Sequence, residues 1–200
     1  KMAGNKLIEK ITNELPSHYA DRLGLSYAKS VNQEHKKTNG QFFTPVEIAG
    51  LMGTFAESGE SSLRILDPGC GTAILTCALI ESLVQNVSKL KEVDLTVYET
   101  DKDLVPYTKE SLEYLRSWLK PKNIELKISI HTNDFILENA DCLTDNGNLF
   151  SQAIEPFDII VSNPPYSIKW DGDTNPLMIS DPRFGPAGVL APKSKADLAF

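Results

Sequence analysis

Apolar positions follow two alternating rhythms along the chain. Leu7, Ile8, Ile11, Leu15 and Tyr19 fall at helical spacing over 5–23, interrupted by Pro16. A polar stretch, Asn32 to Asn39, follows and reads as an exposed loop; its His35-Lys36-Lys37 cluster suits a solvated linker or a phosphate contact. Thr44-Pro45-Val46-Glu47 has the form of a helix start, with Thr44 as cap, Pro45 at the first helical position and Glu47 closing a capping box. That helix is expected to reach about Phe55, with 58–62 as the loop after it.

From Leu63 short apolar runs alternate with amphipathic ones. Strands are expected at 63–67, 95–99, 124–130 and 157–162. Between them, Leu75, Leu79, Leu83 and Val87 mark a helix over 73–90, and Thr108, Leu112, Leu115 and Leu119 mark another over 104–119. Segment 135–156 is expected to be irregular or briefly helical. Strand–helix–strand alternation implies right-handed crossovers and a parallel sheet, so the class is a doubly wound α/β fold.

Composition changes this picture little. Of 200 residues, 41% are hydrophobic and 24% charged, ordinary for a soluble globular domain with a real core. There is no apolar run of about 18 residues, so no membrane span is expected, and the first residues lack the apolar core of a secretion signal. A cytoplasmic location is the default. Cys70, Cys77 and Cys142 form no CxxC pair and suit reduced thiols; no metal site is expected.

Charge is more informative. The net charge is −7, which argues against coating nucleic acid by electrostatics alone. Residues 1–40 hold seven Lys/Arg against four Asp/Glu, whereas residues 41–166 hold nine against nineteen. Any grip on nucleic acid would have to come from the amino-terminal arm, from local patches or from other protein.

In open parallel sheets ligands sit beyond the carboxyl ends of the strands, where this chain keeps its unusual residues. Asp67-Pro68-Gly69-Cys70-Gly71-Thr72-Ala73 joins the first strand to its helix. Gly69 and Gly71 let a ligand approach the backbone, and free amides at the helix start suit an anionic group. Taken alone, such a loop serves equally as a tight turn. A third glycine is absent, with Ile74 in its place, so a dinucleotide is not favoured. Glu99, beyond the second strand, can accept both hydroxyls of a ribose or stand as a solvated strand-end acid. Asp134, beyond the third, could bind an adenine amino group with Phe135 or Ile136 against the ring.

The fourth strand runs into Ser162-Asn163-Pro164-Pro165-Tyr166. Two prolines fix φ and remove two amide donors, which gives a stiff, extended loop with outward carbonyls. Asn163 adds a side-chain carbonyl and Tyr166 a flat aromatic face. Paired acceptors beside a stacking surface suit a planar group bearing an NH2. An amine conjugated to a purine is a poor nucleophile, because its lone pair is delocalised. Two acceptors on its hydrogens favour a pyramidal nitrogen and return that lone pair for in-line attack on a methyl donor. The competing reading is a loop whose prolines merely end the sheet.

Together these elements resemble the amino-methylating class of S-adenosylmethionine-dependent DNA methyltransferases. Gly40-Gln41-Phe42-Phe43-Thr44-Pro45 looks like that family's amino-terminal cofactor motif, 67–73 like its glycine motif, and 163–166 like its catalytic loop. The stretch from Lys169-Trp170 through Asp181-Pro182-Arg183-Phe184 to Phe200 resembles modification subunits of type I restriction systems. The resemblance implies a Rossmann-like class I methyltransferase sheet over 40–200 after an amino-terminal helical arm, 1–39. It implies S-adenosyl-L-methionine bound by Gln41, Phe43, Thr44, Pro45, Asp67, Gly69, Gly71, Glu99, Asp134, Phe135 and Asn163. It further implies catalysis by Asn163, Pro164, Pro165 and Tyr166 on an adenine flipped from DNA, with a specificity subunit or domain as partner.

Members of that family have a seven-stranded sheet, and only four strands are legible here. The sheet is therefore expected to be truncated, and this chain alone is expected to have little sequence-specific activity. Two rival readings remain at this point: a methyltransferase acting on a protein glutamine amide, which uses the same Asn-Pro-Pro-Tyr loop, and a non-catalytic cofactor-binding module.

Overall fold

A computed structural model describes residues 7–32, 43–139 and 156–163. The elements, in chain order, are helix α1 (Pro16–Ser30), helix α2 (Val46–Gly53), strand β1 (Ser62–Asp67), helix α3 (Ile74–Asn86) and strand β2 (Glu92–Tyr98). Helix α4 (Val105–Leu119), strand β3 (Glu125–His131), the single turn α5 (Phe135–Glu138) and the short strand β4 (Ile159–Ile160) follow. The four strands form one parallel sheet in the order β3-β2-β1-β4.

Two expectations about the amino-terminal helices are corrected. The first helix begins at Pro16 and runs on to Ser30, instead of spanning 5–23. Proline is welcome in a helix's first turn and hostile inside it. Glu81 of α3 completes the start, accepting from the Ser17 backbone N–H at 2.6 Å and the Ser17 hydroxyl at 2.8 Å. The capping box at Thr44 does not form either: Pro45 is the N-cap of α2 and no side chain caps it. The Thr44 hydroxyl is engaged elsewhere, as described below.

The main sheet and its helices match the hydrophobic pattern. Both crossovers step the same way from β1, so α3 and α4 share one sheet face. There Leu63, Ile65, Val93, Leu95, Val97 and Leu126 pack with the predicted helix stripes, Leu79 and Leu83 of α3 and Leu112, Leu115 and Leu119 of α4, in one buried cluster. Strand boundaries move by a few residues. β2 starts at Glu92, where the Lys91 and Glu92 amides bond Ser61 O, and β4 keeps two residues of its expected six. The ladder nevertheless continues from Val161 N to Leu66 O at 2.9 Å. α1 packs against both α3 and α4, burying Tyr19, Leu23 and Tyr27 at four-residue spacing.

Gly53 and Gly50, both on α2, make opposite predictions. A Cβ on Gly53 would lie 2.7 Å from the Ala78 carbonyl oxygen, a backbone atom of α3 that cannot swing aside, whereas nothing lies within 4 Å of one on Gly50. Gly53→Ala is expected to destabilise the fold by about 1–3 kcal/mol through overpacking. Gly50→Ala is expected to be neutral or to stabilise by up to about 1 kcal/mol through helix propensity. Urea unfolding of the two variants checks the pair, and equal stabilities would contradict it.

Candidate active site

Strand order reverses between β1 and β4, because the chain steps from β1 outward to β2 and β3 and then returns to β1's other side. Such a switch point opens a crevice at the carboxyl ends of the strands. The glycine loop leaves β1 there. Its Cys70 N–H bonds the Tyr98 carbonyl at 2.9 Å, tying the loop to the end of β2. Gly71 has φ +56° and Ala73, the N-cap of α3, has φ +63°. Glycine takes that conformation without strain, and alanine does so at some cost. A Cβ on Gly71 would stand 3.5 Å from the Phe43 ring, so Phe43 lies directly over the loop. At Gly69 a Cβ would meet nothing within 4 Å, which leaves the backbone open to a ligand.

Two acids hold the loop. Asp67 is buried, and its carboxylate accepts from Thr76 Oγ1 at 2.6 Å and from Gly69 N at 3.4 Å. Burial raises its pKa to about 6 against these two bonds. Glu99 follows β2 and accepts from Gly71 N at 3.0 Å and Asp101 N at 2.8 Å. Burial raises its pKa to about 7, and the nearby Asp101 and Asp67 charges add to the rise. Thr108 of α4 donates to the Gly71 carbonyl at 2.6 Å, so both polar faces of that residue are fixed.

Beyond β3, one oxygen of Asp134 is engaged as the N-cap of α5, accepting from Leu137 N at 3.0 Å. The Phe135 ring stands edge-on to Tyr98, centroids 5.1 Å apart. Beyond β4, half-buried Asn163 donates from Nδ2 to Thr44 Oγ1 at 2.8 Å. Two hydroxyls beside these residues, Thr72 Oγ1 and Ser162 Oγ, are buried with no hydrogen-bond partner among the described residues.

Of the residues singled out in the sequence, Gly71 thus meets both Phe43 and Glu99, Asp67 is tied to the same loop through Gly69, and Thr44 joins Asn163. Asp134 and Phe135 sit at the end of the neighbouring strand. Gln41, Pro164, Pro165 and Tyr166 lie outside the described residues. Sequence reasoning missed Thr76 and Thr108, and also Tyr27, whose hydroxyl bonds Asp101 at 2.5 Å and whose ring meets Phe43 at 6.1 Å. No local pattern marks Thr108 or Tyr27, whose partners lie 37 and 74 positions away, and Thr76 reaches back nine positions to Asp67 across the glycine loop, a spacing that belongs to no helix or strand repeat. Cys70 and Cys77 are free and buried, and burial pushes both thiols up.

The geometry is that of a doubly wound α/β fold with a crevice at the switch point of its parallel sheet. Residues 23–200 match the N-6 DNA Methylase family model, and the chain belongs to that family. It is 30% identical over 197 residues to the type I restriction enzyme MpnII methylase subunit of Mycoplasma pneumoniae, covering 94% of this chain and 33% of that protein. The type I restriction-modification system methyltransferase subunit from Streptococcus thermophilus is similar in structure, with a TM-score of 0.50 and 25% identity over 93% of this chain and 36% of the other. A modification subunit from Vibrio vulnificus YJ016 shares the fold at TM-score 0.50 and 18% identity, over 93% of this chain and 34% of that one. The chain spans about a third of the length of the M. pneumoniae relative.

The raised pKa of Glu99 has a thermodynamic consequence. The folded chain binds this proton more tightly than the unfolded chain, whose value is 4.5. The contribution of Glu99 to stability is therefore full below pH 4.5 and is lost as pH rises towards 7. Glu99→Gln keeps an acceptor for Gly71 N without an ionisation cost. Its stability is expected to gain on the wild type between pH 5 and pH 8, measured by chemical unfolding at each pH. A constant difference across that range would show that Glu99 titrates normally.

Proposed function

We propose that the full-length protein transfers a methyl group from S-adenosylmethionine to the N6 amino group of adenine in DNA, as the modification component of a restriction–modification system. Family membership supports the reaction class, and the likeness to type I subunits supports the system. The observation that carries the site is Asn163: it stands half-buried beyond β4, bonded to the segment that covers the glycine loop.

The residues fit that cofactor. Gly69 leaves its backbone open, Gly71 takes a left-handed turn beneath Phe43, and Glu99 offers a carboxylate to ribose hydroxyls. Asp67 holds the loop, Asp134 and Phe135 attend the adenine end, and Gln41, Thr44 and Pro45 flank the methionine end. When bound, S-adenosylmethionine supplies an electrophilic methyl carbon. Asn163 Oδ1, which has no partner among the described residues, and the Pro164 carbonyl accept the two amine hydrogens of the target. By the family resemblance Tyr166 would stack on its ring, with Pro165 next to it in the same loop. These acceptors would favour a pyramidal nitrogen and return its lone pair for reaction, so no side-chain nucleophile would be required.

Under this reading a specificity subunit or domain selects the DNA, and the protein works in the prokaryotic cytoplasm. Among the described residues no helix is long and apolar enough to cross a membrane.

Methyl transfer from labelled cofactor, using the full-length protein and Asn163→Ala, tests the reading. Label should enter adenine of duplex DNA and not a glutamine-bearing protein substrate. The variant should bind cofactor within a few-fold of wild type while transfer falls by about 100-fold or more, as for loss of a preorganised transition-state partner. Label on glutamine, or full transfer by the variant, would overturn the assignment.

A further inference from the structure

Thr44 and Asn163 are 119 residues apart in the chain and meet at 2.8 Å, Nδ2 donating to Oγ1. We infer that Thr44 is the positioning residue that fixes which end of the Asn163 carboxamide faces the target amine. The inference rests on the amine-methylating reading above and adds to it a role for Thr44 beyond flanking the cofactor.

A carboxamide has two ends of nearly equal size and opposite polarity. With its oxygen forward, Asn163 accepts from an NH2. With its nitrogen forward, two donors face each other, and the lone pair is not released. Some partner must therefore hold the nitrogen end, and Thr44 does so. At 6% exposure the threonine is buried, so water competes poorly for the bond and the bond is electrostatically stronger than at a wet surface. The captured nitrogen leaves Oδ1 as the presented end.

The surroundings of Thr44 fit this role and no simpler local one. Its hydroxyl is not a helix cap, since Pro45 is the N-cap of α2 and no side chain caps that helix. Its backbone is restricted by the following proline, which disfavours the helical region for the residue before it. Its neighbour Phe43 is braced against the glycine loop and against Tyr27 of α1. Segment 43–45 thus bridges the glycine loop and the end of β4, and Thr44 is the member of it that reaches the carboxamide.

Steady-state transfer to adenine-containing duplex DNA by the full-length protein and its partner subunits provides the test. Thr44→Val keeps the shape and removes the acceptor. It should lower kcat at saturating cofactor by about tenfold, a loss in the range of one hydrogen bond, while the KM for DNA stays within about twofold of wild type. Thr44→Ser should restore kcat to within about threefold, because it returns the hydroxyl. Combined with Asn163→Ala, Thr44→Val should cost nothing further, as for two residues acting through one group. If valine disturbs folding, Thr44→Ala carries the same expectations.

An unchanged kcat in Thr44→Val overturns the inference. So does a weakened cofactor Kd with full kcat at saturating cofactor, which would make Thr44 a cofactor contact alone. The two levels separate cleanly. Full transfer by Asn163→Ala removes the parent reading, whereas an inactive Asn163→Ala beside a fully active Thr44→Val removes only the role of Thr44.

Discussion

The architecture turns on the peptide groups of Gly71. Its N–H is held by Glu99 and its C=O by Thr108, so β2 and α4 grip the loop that leaves β1. This works only because the residue can sit at φ +56° under the Phe43 ring, where a side chain would be strained and crowded. Once the loop is fixed, the carboxyl edge of the sheet becomes a defined surface. The costs are visible in the acids that enforce it. Asp67 and Glu99 are both desolvated, and both titrate well above ordinary carboxyls. Charged groups held out of water in a cleft are a frequent mark of a site kept for function at some expense of stability.

Helix α1 belongs to the same construction. Glu81 pins its first turn to α3, and Tyr27 reaches Asp101 and Phe43 from its far end. Between them Gly24 brings the helix within ordinary contact distance of Thr72 and Phe43, each near 3.5 Å from where a Cβ would stand. The amino-terminal helix therefore buttresses the outer wall of the crevice, and the backing of Phe43 comes from residues that precede the glycine loop by more than forty positions.

Much of this was legible in the chain and some was not, for physical reasons. Period-two and period-3.6 patterns exposed β1, β3, α3 and α4, whose buried stripes match the apolar spacing. Glycines, acids and the asparagine stood out at strand ends, because a parallel sheet has few other uses for such residues there. The amino-terminal helix was misjudged where an apolar stripe ran through Pro16: the stripe continues, but the backbone cannot be helical on both sides of that proline without cost. At Thr44 a good capping signature lost to a tertiary partner 119 residues away. Caps are worth about 1 kcal/mol, and a buried bond to a long-range polar group is worth as much, so local chemistry alone does not decide the outcome. Thr108 read only as one member of a helix stripe, because its partner Gly71 lies 37 positions away.

Electrostatics then constrain how such a body meets DNA. Residues 41–166 carry nineteen acids against nine bases, and a polyanion gains little by approaching that surface. One of the acids at the crevice, Glu99, has its pKa raised to about 7, which softens the local repulsion at neutral pH. Softening is not attraction. On the proposed reading, affinity for the duplex comes from other protein, while this unit supplies what a bound base needs. That division suits the chemistry: transfer to an amine requires oriented acceptors and a held methyl donor, and neither needs a basic surface. An acidic crevice is compatible with acting on DNA as long as another surface delivers the base to it.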